Sequence, residues 1–394
     1  MSTDPGSLRE PWPGQGSVTG QNRVVDRKRR VAITVEQCWH QVPGGTANAA
    51  LATIAALSDR PDLELIGVAA RHRNPPSAAF QPTISIAHLP LPRLALYESW
   101  HALGWPRVER ATGAVDVVHA TAIAVPPTDA PLVMTINDLA FLTHPGQATR
   151  HGNRFFRRGT ELARRHARLV LVPSEATASE CRSAGFDPER LRLVPYGVEA
   201  QPVSDADVAA FRARHGLARP YVLFVGTVEP RKNLAAVVGG MAALAGRGID
   251  LVLVGPDGWN EDLRARLAPL EGTGTEVHRL GFLPADEVAA AYAGCAAFCY
   301  PSLREGFGLP VLEAMAQGAP VVTSAGTATA EVAGDDGLLV DPHDHGQVGQ
   351  ALVRLVDDQA LAADLRDRGW RRAATYTWER TAALTAAAYA EVSP

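Results

Sequence analysis

Apolar residues in this chain come in short bursts. "RVAITVEQCW" (30–39), "LELIGVAA" (63–70), "VDVVHAT" (115–121), "PLVMTIND" (131–138) and "RLVLVPS" (168–174) are runs of strand length rich in Val, Ile and Leu. Strands this apolar belong to parallel sheets covered on both faces. Helical patterns separate them: "VPGGTANAALATIAAL" (42–57), entered through a Gly-Gly turn, and "NRFFRRGTELARRHA" (153–167), which has a basic face. "LRLVPYGVEA" (191–200) reads as a last strand and exit, and residues 201–220 bridge to a second series. That series comprises "YVLFVGT" (221–227), "DLVLVG" (250–255), "TEVHRLGFL" (275–283), "AAFCYPS" (296–302), "APVVTS" (319–324) and "GLLVD" (337–341). Helices such as "NLAAVVGGMAALAG" and "PADEVAAAYAGC" lie between its strands. The pattern predicts an α/β protein of two Rossmann-like domains, residues 31–199 and 200–375, facing across a cleft. The amphipathic "YTWERTAALTAAAYAEV" predicts that residues 376–394 pack back across the pair. Residues 1–30, with four glycines, three prolines and little apolar pattern, are expected to be a disordered tail.

Length agrees with this division, since 394 residues exceed one ordinary core. A net charge of −4 with both signs mixed argues against wholesale nucleic-acid binding. The concentrated basic run is "DRKRR" (26–30), read as part of a solvated tail, with peripheral contact to anionic lipid as the alternative. The first thirty residues lack the apolar core of a signal peptide, and no stretch nears the roughly 18 apolar residues of a spanning helix. The four cysteines form no CxxC pair. A cytoplasmic, reduced setting is expected, with at most peripheral contact at the inner face of the membrane.

The candidate chemistry starts at "EGFGLPVLE" (305–313), which follows the strand "AAFCYPS". Ligands of open α/β sheets bind outside the carboxyl ends of strands, so the loop is well placed. Gly306 and Gly308 permit close backbone approach, and Pro310 suits the first turn of a helix. Glu313 falls about one turn in and leans back, so Glu305 and Glu313 can border one pocket floored by free backbone N–H groups. A helix start attracts phosphate, whereas carboxylates accept from paired hydroxyls. One ligand class offers both: a nucleoside diphosphate sugar. "GTVEPRKN" (226–233) supplies cations at another strand end, with Arg231 able to fork across two phosphate oxygens and Lys232 acting as a point charge.

"FVGTVEPRKNL", "YPSLREGFGLPVLEAMAQGAPVVTS" and "YTWERTA", with "DVVHAT" and "TINDLAFL", resemble family 4 glycosyltransferases, retaining enzymes of the GT-B fold. The resemblance implies that Arg231 and Lys232 hold the donor diphosphate and that Glu313 binds the ribose. It implies that Glu305 and the amides of Gly306, Phe307, Gly308 and Leu309 meet the transferred sugar and phosphate. Leu283, in "GFLP", would lie against the base, and Gly44 and Gly45 would close over the donor. The family usually reads His-Asp where this chain has Asn137-Asp138, so Asn137 would keep a hydrogen bond to the sugar without imidazole chemistry. No cofactor and no metal are implied, because fixed cations serve the diphosphate. Among relatives, "GTVEPRKN" with "YTWERTA" resembles mannosyltransferases that use GDP-mannose, with a glycan or lipid-linked acceptor.

Each feature has a plainer reading. Glu313 can serve its helix N-terminus, for about 0.3–1 kcal/mol. Arg231 and Lys232 can be a solvated pair, and Gly44-Gly45 an ordinary turn. The Asp/His-rich "GDDGLLVDPHDH" (334–345) is read as turns rather than a metal site. His119 either lines the cleft or packs at a strand end, and Trp39 either faces an acceptor or covers a sheet edge. Two rival functions stand beside transfer: a nucleotide-sugar epimerase of similar fold, and a non-catalytic sugar-nucleotide-binding module. Acceptor recognition is assigned to first-domain loops, including residues 71–100.

Overall fold

The computed structural model describes residues 27–40, 44–143, 149–201, 203–258 and 262–393. Seven strands form the first sheet: β1 (Arg29–Thr34), β2 (Leu63–Ala69), β3 (Ile86–His88), β4 (Val117–Ala120), β5 (Leu132–Thr135), β6 (Ala167–Val172) and β7 (Leu191–Leu193). Six form the second: β8 (Tyr221–Val225), β9 (Asp250–Val254), β10 (Val277–Gly281), β11 (Ala297–Tyr300), β12 (Val321–Ser324) and β13 (Leu338–Val340). Their orders are β3-β2-β1-β4-β5-β6-β7 and β10-β9-β8-β11-β12-β13, parallel throughout. In both the order reverses beside the first strand, which is the Rossmann arrangement, and each half therefore has a crevice at that switch point.

The helices that matter for function are α1 (Gly44–Ser58), α2 (Arg93–Leu103), α3 (Arg150–His166), α4 (Glu175–Ser183), α5 (Leu309–Ala316) and α6 (Trp378–Val392). Successive strand residues feed opposite faces of the first sheet. Val31, Ile33, Val117 and Val133 join one buried cluster, while Ala32, Val118, Leu132 and Met134 join another. This two-faced burial is what the uniformly apolar runs encode. The second sheet lies in one continuous core that includes Phe224, Phe298, Tyr300 and Leu312.

Helix α6 returns to the first half, where Ala382, Ala386 and Tyr389 pack in the cluster that holds Ile54 and Leu57 of α1. Arg29 fastens its end, donating from Nε to Ser393 Oγ at 2.7 Å. Two sequence expectations change here. Of the tail expected over residues 1–30, residues 1–26 lie outside the described residues, and Arg29 and Arg30 already belong to β1. The basic run is engaged there: Arg27 pairs with Asp116, and Arg30 with Glu64 at 3.2 Å. The segment 71–100 is not all loop, because it contains β3 and most of α2. A three-residue strand is too short for its pattern to register, and prolines punctuate its flanks.

Candidate functional site

The second-half switch point lies between β8 and β11, and the chain leaving each strand supplies one part of the site. After β8, Pro230–Lys232 make a 3-10 turn that stops at Asn233, the only non-glycine among the described residues with positive φ (57°). The Asn233 amide donates to the carbonyls of Pro301 (3.0 Å) and Pro342 (2.7 Å), which ties the cationic turn to the exits of β11 and β13. The Arg231 carbonyl accepts from the Leu303 N–H at 2.7 Å and from Ser302 Oγ at 3.0 Å. Gly226 has φ 143°, and a Cβ there would lie 2.5 Å from Lys232 Nζ. Glycine at that position leaves the room the ammonium occupies.

Arg231 reaches Glu305 directly, Nη1 to Oε2 at 2.5 Å, and Nη2 lies 2.7 Å from Glu229, whose side chain is 7% exposed. The other Glu305 oxygen accepts from Tyr300 Oη (2.7 Å) and Ser302 Oγ (3.2 Å). Lys232 Nζ stands 5.7 Å over the Tyr300 ring. Glu313 accepts from Tyr292 Oη at 3.3 Å. The loop of 305–313 and the turn at 231 therefore meet in one place.

The first half closes against this place. Gly308, at φ 111°, opens α5, and Leu309 lies where a Cβ on Gly45 would touch it at 3.8 Å. Gly44 has φ 62° and open space around it. The Gly306 carbonyl accepts from Ser174 Oγ (2.6 Å) and Thr177 Oγ1 (2.9 Å) at the start of α4. A Cβ on Gly306 would lie 1.8 Å from the Asn137 carbonyl oxygen, so the two backbones touch. The Glu331 carboxylate accepts from the N–H groups of Glu175 (2.7 Å) and Ala176 (2.6 Å), satisfying two free donors of α4. Arg304 donates to Glu180 at 2.7 Å. Hydroxyls and carboxylates thus pin the second-half loop to the first half.

Charge and burial compete at the carboxylates. Burial would push Glu305 up, but Arg231 and Lys232 outweigh it and hold the carboxyl below its ordinary value. For Glu313 burial prevails and the carboxyl is raised. Burial also lowers Lys232, against the pull of Glu305. Arg231 is raised, because Glu305 and Glu229 more than offset the burial of its guanidinium.

Other residues singled out from the sequence fall in varied surroundings. The Phe307 ring packs between the halves, 5.5 Å from Tyr196 and 6.0 Å from Tyr376, so it offers a ligand backbone rather than a ring face. Leu283 is 8% exposed in the second-half core, whereas its neighbour Phe282 is 80% exposed. Asn137 Oδ1 accepts from Tyr196 Oη, leaving the amide NH2 as the donor group. His119 is buried at a strand end, with Nδ1 2.7 Å from Tyr389 Oη and Nε2 2.8 Å from Thr135 Oγ1. Trp39 stacks on His72 at 4.3 Å. In the Asp/His run, Asp341 accepts from the His343 N–H (2.9 Å) and Asp344 from the Gln347 N–H (3.0 Å), as turn and cap residues do. Sequence reasoning missed Glu229, Tyr292, Tyr300, Ser174 and Thr177. Glu229 and Tyr300 lie inside the quoted motifs and Ser174 ends a strand run, but no spacing marks a role for any of the five, and only folding brings them together.

Two Rossmann-like halves with a cation-and-carboxylate site between them define a GT-B glycosyltransferase. The sequence model for "Glycosyl transferases group 1" matches residues 219–358, and that for "Glycosyltransferase Family 4" matches residues 43–201. The chain belongs to this family of glycosyltransferases. It is 30% identical to the O-antigen chain mannosyltransferase B of Escherichia coli over 65% of this chain and 69% of that protein. It is 35% identical to an MMP alpha-(1->4)-mannosyltransferase of Mycolicibacterium hassiacum over 58% of this chain and 55% of that one. The fold is also that of Anabaena HepE, solved with UDP and glucose, at TM-score 0.71 and 18% identity over 92% of this chain and all of that one. Among the described residues no helix is long and apolar enough to cross a membrane.

Proposed function

We propose that the chain is a retaining hexosyltransferase that moves mannose from GDP-mannose to a hydroxyl of a glycan or lipid-linked acceptor, without a metal. The observation that carries this reading is the convergence of Arg231, Lys232, Glu305 and Glu313 at the second-half switch point, facing Gly45 of the first half. The names of the two mannosyltransferase relatives favour mannose, and with it GDP as the carrier.

Arg231 is shared by two carboxylates, Glu229 and Glu305. A donor diphosphate displaces Glu305 from it, and the freed Glu305 oxygen accepts from a hydroxyl of the transferred sugar. Glu313 takes the ribose hydroxyls, the backbone near Leu283 the base, and Asn137 the sugar from across the cleft. The bond from the anomeric carbon to the phosphate oxygen breaks, and its electron pair stays on the diphosphate. Arg231 and Lys232 stabilise that charge more in the transition state than in the ground state. The acceptor oxygen bonds to the anomeric carbon on the same face, and its proton passes to the departing phosphate.

The test is a thermal-shift series with GDP, UDP and ADP, because binding to the folded state raises the melting temperature. GDP should stabilise most. A larger shift with UDP, the nucleotide named with HepE, would overturn the GDP-mannose reading. Product anomers read by NMR should keep the donor's configuration, and inversion would overturn the retaining mechanism.

A further inference from the structure

The first half has a second concave site, remote from the cleft. A cavity of about 420 Å³ opens where α2 ends and where β5 and β6 begin, which is the amino-terminal edge of the sheet. The transfer site lies at the opposite, carboxyl edge. Trp100, Pro127 and Leu162 give the cavity apolar walls, and Arg158, His166 and Arg168 bring basic groups to it. The cavity's volume is that of a small-molecule site, and apolar walls with a few convergent polar groups are the usual lining of one.

Its charge is unbalanced. Asp129 is the single acid in the lining, and Arg107, outside the lining, already binds it. Arg158 shares one guanidinium nitrogen with Glu161 at 3.1 Å, while Arg168 has no ion-pair partner among the described residues. His101 also lines the cavity. It is 6% exposed, stacks on Phe155 at 4.2 Å, and accepts the Val125 N–H at Nε2 (3.2 Å). Burial first, and then the Arg158 charge, holds this imidazole down to about 4, so it is neutral. With Nε2 accepting, the proton sits on Nδ1, a buried donor without a partner among the described residues. Gly159 lets α3 press onto the lining loop, since a Cβ there would meet the Ile123 carbonyl oxygen at 2.4 Å.

We propose that this cavity binds a phosphate-bearing ligand of small-molecule size, held by the Arg158 and Arg168 guanidiniums. Planar guanidiniums fork across phosphate oxygens, and the apolar walls take the remainder of such a ligand. Leu103 (77% exposed) and Trp105 (45% exposed) flank Gly104 of the lining, so the phosphate has two physical sources: a free metabolite or a lipid headgroup presented at a surface.

Two arms separate these sources, using the full chain. In calorimetric titration with inorganic pyrophosphate, Arg231→Gln/Lys232→Gln removes both cleft cations, and the double variant Arg158→Gln/Arg168→Gln is made on that background and alone. On that background a saturable site should remain, and adding Arg158→Gln/Arg168→Gln should weaken it at least tenfold. Co-sedimentation with phosphatidylglycerol against phosphatidylcholine vesicles forms the second arm. Wild-type binding specific to phosphatidylglycerol and lost in the double variant assigns a headgroup, whereas a positive pyrophosphate arm alone assigns a soluble phosphate. Both arginines are exposed, and matched circular-dichroism melts check that the variants fold. Pyrophosphate binding abolished by Arg231→Gln/Lys232→Gln, or unchanged on that background when Arg158→Gln/Arg168→Gln is added, with no vesicle preference, overturns the proposal.

Discussion

Glu305 and Glu313 carry the same functional group in opposite electrostatic settings. Cations beside Glu305 outweigh its burial and keep it ionised, while burial governs Glu313 and raises it. For a carboxyl raised in the folded state, the cost of the buried charge is absent below the unfolded value of 4.5 and full above the folded one. Glu313→Gln should therefore raise the melting temperature of the empty protein at neutral pH and shrink the shift a nucleotide produces. A variant less stable than wild type at pH 7 would contradict this. Glu305→Gln keeps the size of the side chain and can still accept from Tyr300, but it drops the charge paired with Arg231. It should lower kcat by about 10²–10³, the scale of losing one electrostatic contact in a transition state, with the fold intact. Steady-state kinetics beside a melting curve separates those outcomes. Arg231, Lys232, Glu305 and Glu313 were legible because each lies in a contiguous motif at a strand end. Glu229 shares the motif of Arg231 but was overlooked there, because its contact with the guanidinium is made only in the fold, and Tyr292 lies in an alanine-rich helix that carries no motif.

At the scale of elements, the site depends on two glycines with different duties. Gly306 touches the Asn137 backbone, and an alanine Cβ 1.8 Å from that carbonyl oxygen forces α5 and the first half apart. Gly306→Ala should cost about 1–3 kcal/mol, as overpacking does, and should abolish transfer. Gly45 has ordinary van der Waals room toward Leu309, so Gly45→Ala should fold at least as well as wild type. Its loss should appear instead as a raised donor KM, because the new methyl points toward Leu309 at the start of α5, beside the proposed donor site. Equal effects of the two changes on stability would refute this division. The sequence announced both glycines but not their difference, since the packing partner of each comes from the other half. Apolar runs betrayed most strands for a related reason: strands buried on both faces carry their own signal. The segment 71–100 hid β3 and α2 because three residues make no period and prolines dominated the reading.

At the scale of the whole molecule, α6 ties the second half's chain back onto β1 and the first-half core. Tyr389 lies in the first-half core with its hydroxyl on His119, and Ser393 takes the Arg29 guanidinium. Burial drives His119 from 6.5 down to about 3, so the fold holds the imidazole neutral. Above pH 6.5 both states are neutral and nothing is lost. As pH falls from 6.5 toward 3 the unfolded chain takes up a proton that the folded one refuses, and stability declines. His119→Gln should flatten that part of the acid-unfolding profile, as read by denaturant melts across the range, and an unchanged slope would contradict it. The site, for its part, is assembled from both halves, with the charge that defines it held in the second. The most direct test is a calorimetric titration of the nucleoside diphosphate that stabilises the protein best into wild type and into Arg231→Gln/Lys232→Gln. Two charge-assisted contacts at about 1.5 kcal/mol each predict roughly 100-fold weaker binding in the double variant, and unchanged affinity would contradict the site.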